Sequence, residues 1–229
     1  MHHKRRQETI EVAIFDAIDE IAEEFNLNIP FYPDVHCLDK STGFDDFYLP
    51  DYFKKDFNNI VRSLDACFIQ ESCSIVLGLN PLKSDYGEEA THFVHHTNSG
   101  IKRKRRDNSE LEFINCLSEM LGYFGSLVLG EERINHYSQW PDPYSQKKEF
   151  HEFLKELRKK YPNPIFLMDH MIHQQGYGLG ERLFYSYQNS DISKKDIMDL
   201  FKNDFSEKNE ARRKFVEMRE KLGWQINIQ

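Results

Sequence analysis

Strand-forming sequence runs out early in this chain. The runs rich in β-branched and aromatic residues at strand length lie before residue 80, whereas beyond about residue 108 the apolar residues recur at helical spacing. A chain divided in this way has no material for a large sheet. It is expected to fold as an α+β protein with a small N-terminal β-sheet and a mainly helical C-terminal half.

Within the first half, residues 7–25 set Ile10, Val12, Ala13, Ile14, Ala17, Ile18 and Ile21 close to helical period with acidic residues between them, which predicts an amphipathic opening helix. Ile29 to Leu38, with two prolines and several aromatics, predicts an extended edge strand, and Pro50 to Leu64 returns to a helical pattern. Cys67-Phe-Ile-Gln and Ser74-Ile-Val-Leu-Gly, separated by Glu71 and Ser72, read as two paired strands ending near Asn80-Pro81. A motif-bearing helix follows. In the second half, Asn108 or Ser109 caps a helix to about Leu129 whose buried stripe is Leu111, Ile114, Leu117, Leu121 and Phe124. Residues 146–160 read as a charged helix, and Ile165 to Tyr187 as a more apolar one. Ser193-Lys-Lys-Asp196 resembles a capping box, and Ser206 to Leu222 supplies a last helix ending at Gly223. The expected organisation is an N-terminal lobe at 1–100, carrying helices, short strands and the motif helix, and a helical lobe at 101–229.

The chemistry concentrates in residues 88–96, Glu-Glu-Ala-Thr-His-Phe-Val-His-His. On a helix Glu88 and His92 are i,i+4 neighbours on one face, with Glu89 beside them. Glu88-Glu89-Ala-Thr-His92 resembles the His-Glu-x-x-His motif of zincin metalloproteases, with glutamate in place of the first histidine. That resemblance implies a zincin-like fold, with Glu88 and His92 as metal ligands and Glu89 as the general base. The base would take a proton from a water whose pKa zinc lowers to about 7. In the gluzincin branch a glutamate from a following helix completes the site, and Glu119 is so placed. A Glu-His-Glu set is harder than His-His-Glu, so iron or manganese joins zinc as a candidate. His96 is an alternative ligand, being i,i+4 to His92, but that register leaves Phe93 where the base should stand. The Glu-x-x-His pattern of di-iron bundles is also matched by Glu89 and His92, yet that fold needs a second copy and the sequence holds none. The alternative to all of these is a surface helix that binds no metal.

The resemblance also implies that a side chain from a late helix donates to the oxyanion of the tetrahedral intermediate. His173 and Tyr177, i,i+4 on one face, suit that role, and the neighbouring glycines would let another helix approach closely. Arg182 is a candidate for orienting a substrate carboxylate. Gluzincin-like sites usually sit beneath an edge strand that holds an extended peptide, and Ser74 to Leu79 is expected to be that strand.

A net charge of −8 excludes a general nucleic-acid binder, since counterion release needs a basic face. The exception is Lys102-Arg103-Lys104-Arg105-Arg106, which reads as a solvated loop or as a contact for an anionic partner. Scattered cysteines without a Cys-x-x-Cys pair predict reduced thiols, and the absence of a long apolar run predicts a soluble, cytoplasmic protein without membrane contact. The leading functional expectation is metal-dependent hydrolysis of a peptide or protein substrate. The alternative keeps the fold without catalysis, as a binding or regulatory protein acting through 102–106.

Overall fold

The computed structural model describes residues 2–38, 66–78, 81, 83–99, 108–130, 155, 159, 164–205, 207 and 209–223. Along them run α1 (His2–Phe25), β1 (Asp34–Cys37), β2 (Ala66–Ile69), β3 (Ser74–Leu77), α2 (Lys83–Ser99), α3 (Asn108–Val128), α4 (Pro164–Gln188), α5 (Lys194–Phe201) and α6 (Glu210–Lys221). The protein is α+β and mostly helical, with six helices and a three-stranded sheet among the described residues. The expected helix at 50–64 and the basic run at 102–106 lie outside the described residues, and of the expected helix at 146–160 only positions 155 and 159 are described. No helix among the described residues is long and apolar enough to cross a membrane.

Of the apolar positions read from its sequence, α1 buries Ile10, Ile14, Ile18 and Ile21 and adds Phe25 to the core, whereas Val12 and Ala13 face solvent. The helix stops because Asn26 turns left-handed at φ 50°, which Asn tolerates better than most residues. Asn26 N then donates to Glu23 O, and Leu27 N to Ala22 O, at 3.3 and 2.9 Å, the paired bonds of a Schellman ending. Gln7 Nε2 donates to Val35 O and ties α1 to the sheet. Phe25 then gathers the helices, with Phe124 of α3, Tyr187 of α4 and Phe201 of α5 each within 5.6–5.7 Å between ring centres.

The sheet corrects one expectation. Its order is β1-β3-β2, so β3, read as the edge strand, is the central one. β1 pairs parallel to it in the register Val35↔Ile75, and β2 antiparallel in the register Phe68↔Ile75. Sequence shows the local hairpin but not the parallel partner that arrives from far upstream. With ladders on both sides, all four β3 residues are buried, which is how a fully apolar Ile-Val-Leu run is accommodated. Among the described residues the edges are β1 and β2.

Downstream, α5 opens with the expected capping box: Ser193 Oγ accepts from Asp196 N at 3.2 Å, and Ser193 N donates to Asp196 Oδ2 at 3.0 Å. α6 begins at Glu210 rather than near Ser206, because Asn209 takes a left-handed φ of 61°. Gly223, at φ 69°, ends it as expected.

α3 is the central helix, packed against α2, α4 and α6. Its neighbours come close because side chains are missing at the crossings. A Cβ on Gly125 of α3 would lie 2.0 Å from Thr91 Oγ1 of α2, and one on Gly180 of α4 would lie 2.6 Å from Met120 O of α3.

Gly180→Ala should therefore destabilise the protein even though alanine favours helix by about 1 kcal/mol. Forcing the two helices apart costs about 1–3 kcal/mol, and the net effect should appear as a lower melting temperature. An unchanged or higher value would contradict the close α3–α4 contact. A second expectation concerns Asp196, whose pKa is held below the usual 3.8 by the Ser193 hydroxyl and amide and by Lys221, against a small opposing effect of burial. A depressed folded-state pKa means its contribution is present above pH 3.8 and fades as pH falls through the lower folded value. Urea unfolding should show Asp196→Asn less stable than wild type at pH 7, with the gap closing below pH 3.8.

Candidate metal centre

α2 and α3 meet at a cluster of ionisable groups. Glu88 and His92 come from successive turns of α2 and Glu119 from α3, and one ligand atom from each lies within 4.8 Å of the others. His92 Nε2 is 4.0 Å from Glu88 Oε1 and 3.6 Å from Glu119 Oε2. Glu88 is buried, and the His92 and Glu119 side chains are 11% and 16% exposed, so the cluster is mostly shielded from solvent. The three residues read as ligands from the sequence are thus brought together.

The other histidines of α2 point elsewhere. His96 Nδ1 is 2.6 Å from Gln70 Nε2 in the hairpin, and its ring packs on Phe68. His96, the alternative ligand, does not join the trio. His95 is buried edge-on against Phe201 of α5, a core role.

Glu89 is buried beside the trio and accepts a hydrogen bond from the Phe68 amide of β2. Burial drives its carboxyl well above the usual range, the Glu88 and Glu119 carboxylates push the same way, and His92 and the Phe68 amide pull back only in part. For His92 burial disfavours the charge, but Glu119, Glu89 and Glu88 outweigh it and raise the imidazole above its usual value.

From α4, His173 Nε2 comes to 3.6 Å from Glu119 Oε2. Tyr177, one turn on, stands edge-on to His173 at 5.8 Å and stacks on Tyr123 of α3 at 4.9 Å. Arg182 donates from Nη1 to Leu222 O at 3.4 Å, tying α4 to the end of α6.

Two residues of this centre escaped the sequence reading. Ser118 Oγ is 3.2 Å from His92 Nδ1, the ring nitrogen facing away from the carboxylates. A metal on Nε2 requires the hydrogen on Nδ1, and Ser118 is placed to accept it. Gly122 makes room for the ring: a Cβ there would lie 2.7 Å from His92 Cε1 and Nε2 and 3.2 Å from Glu88 Cγ. A signal existed, since Ser118, Gly122 and Gly125 form a small-residue stripe at helical spacing on α3.

The donor set fits a cation. Three carboxylates, Glu88, Glu89 and Glu119, crowd one imidazole in a mostly buried space, an arrangement that raises the proton affinity of both His92 and Glu89. Ligand atoms around tetrahedral zinc, at bond lengths of about 2.0–2.1 Å, stand roughly 3.3 Å apart. The separations here, 3.6 and 4.0 Å from His92 Nε2 and within 4.8 Å across the three, are wider, and too long for direct hydrogen bonds. A buried Glu-His-Glu group of this kind could hold a metal ion. The described cysteines, Cys37, Cys67, Cys73 and Cys116, are free thiols outside it.

Comparison of the chain with protein-family models, with curated proteins and with solved structures finds no match.

Gly122→Ala tests the centre without removing a ligand. The new methyl should displace the His92 ring and weaken divalent-metal binding by about 10-fold or more, the scale of lost ligand support, while circular dichroism shows the helix content retained. Equal affinities in calorimetric titrations would mean that His92 does not depend on the space at 122.

Proposed function

We propose that this protein is a metal-dependent peptidase whose centre is held by Glu88, His92 and Glu119, with Glu89 as general base. The observation that carries the reading is the convergence of the three ligand atoms within 4.8 Å, with the carboxyl of Glu89 buried next to them. A divalent ion bound there supplies Lewis acidity and a water acidified to near neutral pH. Two carboxylates among three ligands extend the choice from zinc to iron or manganese.

Glu89 holds and moves the proton. Its carboxylate, beside the bound ion, would accept a proton from water and then deliver it to the leaving amine. The Phe68 amide steadies the carboxylate through a hydrogen bond. Ser118 fixes the His92 ring by its contact at Nδ1. Tyr177, adjacent to His173 on α4, is the hydroxyl donor for the developing oxyanion in this reading. An extended peptide would add along β2, because β2 is an edge strand among the described residues and its Phe68 amide reaches the general base.

Glu89→Gln separates metal binding from chemistry. The variant should show the same rise in melting temperature with added zinc or manganese as wild type, yet cleave an unstructured protein substrate such as casein about 100-fold more slowly or worse. Cleavage by wild type that survives both this substitution and a chelator would falsify the proposal.

A further inference from the structure

One oxygen of Glu119 faces two imidazoles. Oε2 is 3.6 Å from His92 Nε2 on α2 and 3.6 Å from His173 Nε2 on α4. Both separations exceed a hydrogen bond and are somewhat wider than the roughly 3.3 Å between atoms that share tetrahedral zinc, and His173, outside the group whose ligand atoms all lie within 4.8 Å of one another, would swing inward to join it. We propose that His173 is a fourth metal ligand, making the centre Glu88, His92, Glu119 and His173, two carboxylates and two imidazoles from three helices. The inference rests on the metal-site reading above and changes the role of His173 from oxyanion donor to ligand.

The packing of α4 is shaped around this contact. Gly176 follows His173 by one turn, and a Cβ there would lie 2.2 Å from Glu119 Cβ and 3.0 Å from Met120 N. Any larger residue at 176 would push α4 away from α3 at the level of Glu119 and carry His173 with it. Gly180 repeats the close approach a turn later. Tyr177 backs the His173 ring from the side. The His173 side chain is 37% exposed, against 4% for Glu88, so His173 is the more solvent-accessible of the two.

Four protein ligands carry a consequence for the metal. Tetrahedral zinc with four protein ligands is closed to water and substrate. A hydrolytic centre with this set instead needs an ion that accepts more than four ligands, and two carboxylates with two imidazoles suit manganese(II) or iron(II). The chemical class of the resident ion is therefore a hard, high-coordination divalent cation.

X-ray absorption on the full chain loaded with less than one equivalent of manganese(II) counts coordinated imidazoles directly, without reference to activity. The expected result is two imidazoles in wild type and one in both His173→Gln and His173→Ala, with manganese affinity lower by about 10–100-fold in the variants. A wild-type count of one, unchanged in His173→Gln, would overturn the assignment while leaving the Glu88, His92, Glu119 reading intact; His173 would then only position Glu119. Failure of wild type to bind manganese, iron or zinc would overturn both.

Discussion

The crowding of three carboxylates around His92 is the constraint on which the rest of this structure depends. Glu88, Glu89 and Glu119 are held where water reaches them poorly, and like charges in such a place repel. The protein tolerates this only if a positive charge is also there. Without a metal that charge falls to a proton on His92, whose affinity its carboxylate neighbours raise, while burial first and the other carboxylates next raise that of Glu89. A divalent ion held by Glu88, His92 and Glu119 would supply the same charge.

The surrounding scaffold is arranged to keep that crowding in place. α3 presents Ser118 and Gly122 to α2, the first meeting His92 Nδ1 and the second leaving room for its ring. α4 presents Gly176 and Gly180 to α3, which seats the helix bearing His173 against Glu119. β2 turns the Phe68 amide to Glu89 and packs the Phe68 ring on Phe93. Glycine within a helix costs about 1 kcal/mol relative to alanine, so these positions exchange helix stability for proximity.

Much of this was legible in the sequence because it is local. Helical spacing alone places Glu88 and His92 on one face, the isoleucine stripe of α1 reads directly, and the Ser193-Asp196 capping box is visible as letters. Glu119 was found by a resemblance in the order of elements, since nothing in its own surroundings marks it. What stayed hidden is nonlocal. The parallel pairing of β1 with β3 makes β3 central, and no local pattern reveals a partner so far upstream. Likewise His173 could be matched to Tyr177 on its own helix, but its meeting with Glu119 depends on how closely two helices pack. His95, His92 and His96 look alike in sequence, and only the burial of three different directions assigns one to the core, one to the centre and one to the hairpin.

The central claim is that these side chains form one metal site, and anomalous diffraction from crystals soaked with manganese or zinc tests it most directly. The account predicts a single strong peak within about 2.0–2.3 Å of the side chains of Glu88, His92 and Glu119. Density at those three residues that stays empty under saturating metal, or a peak held by other groups with the trio splayed apart, would contradict it.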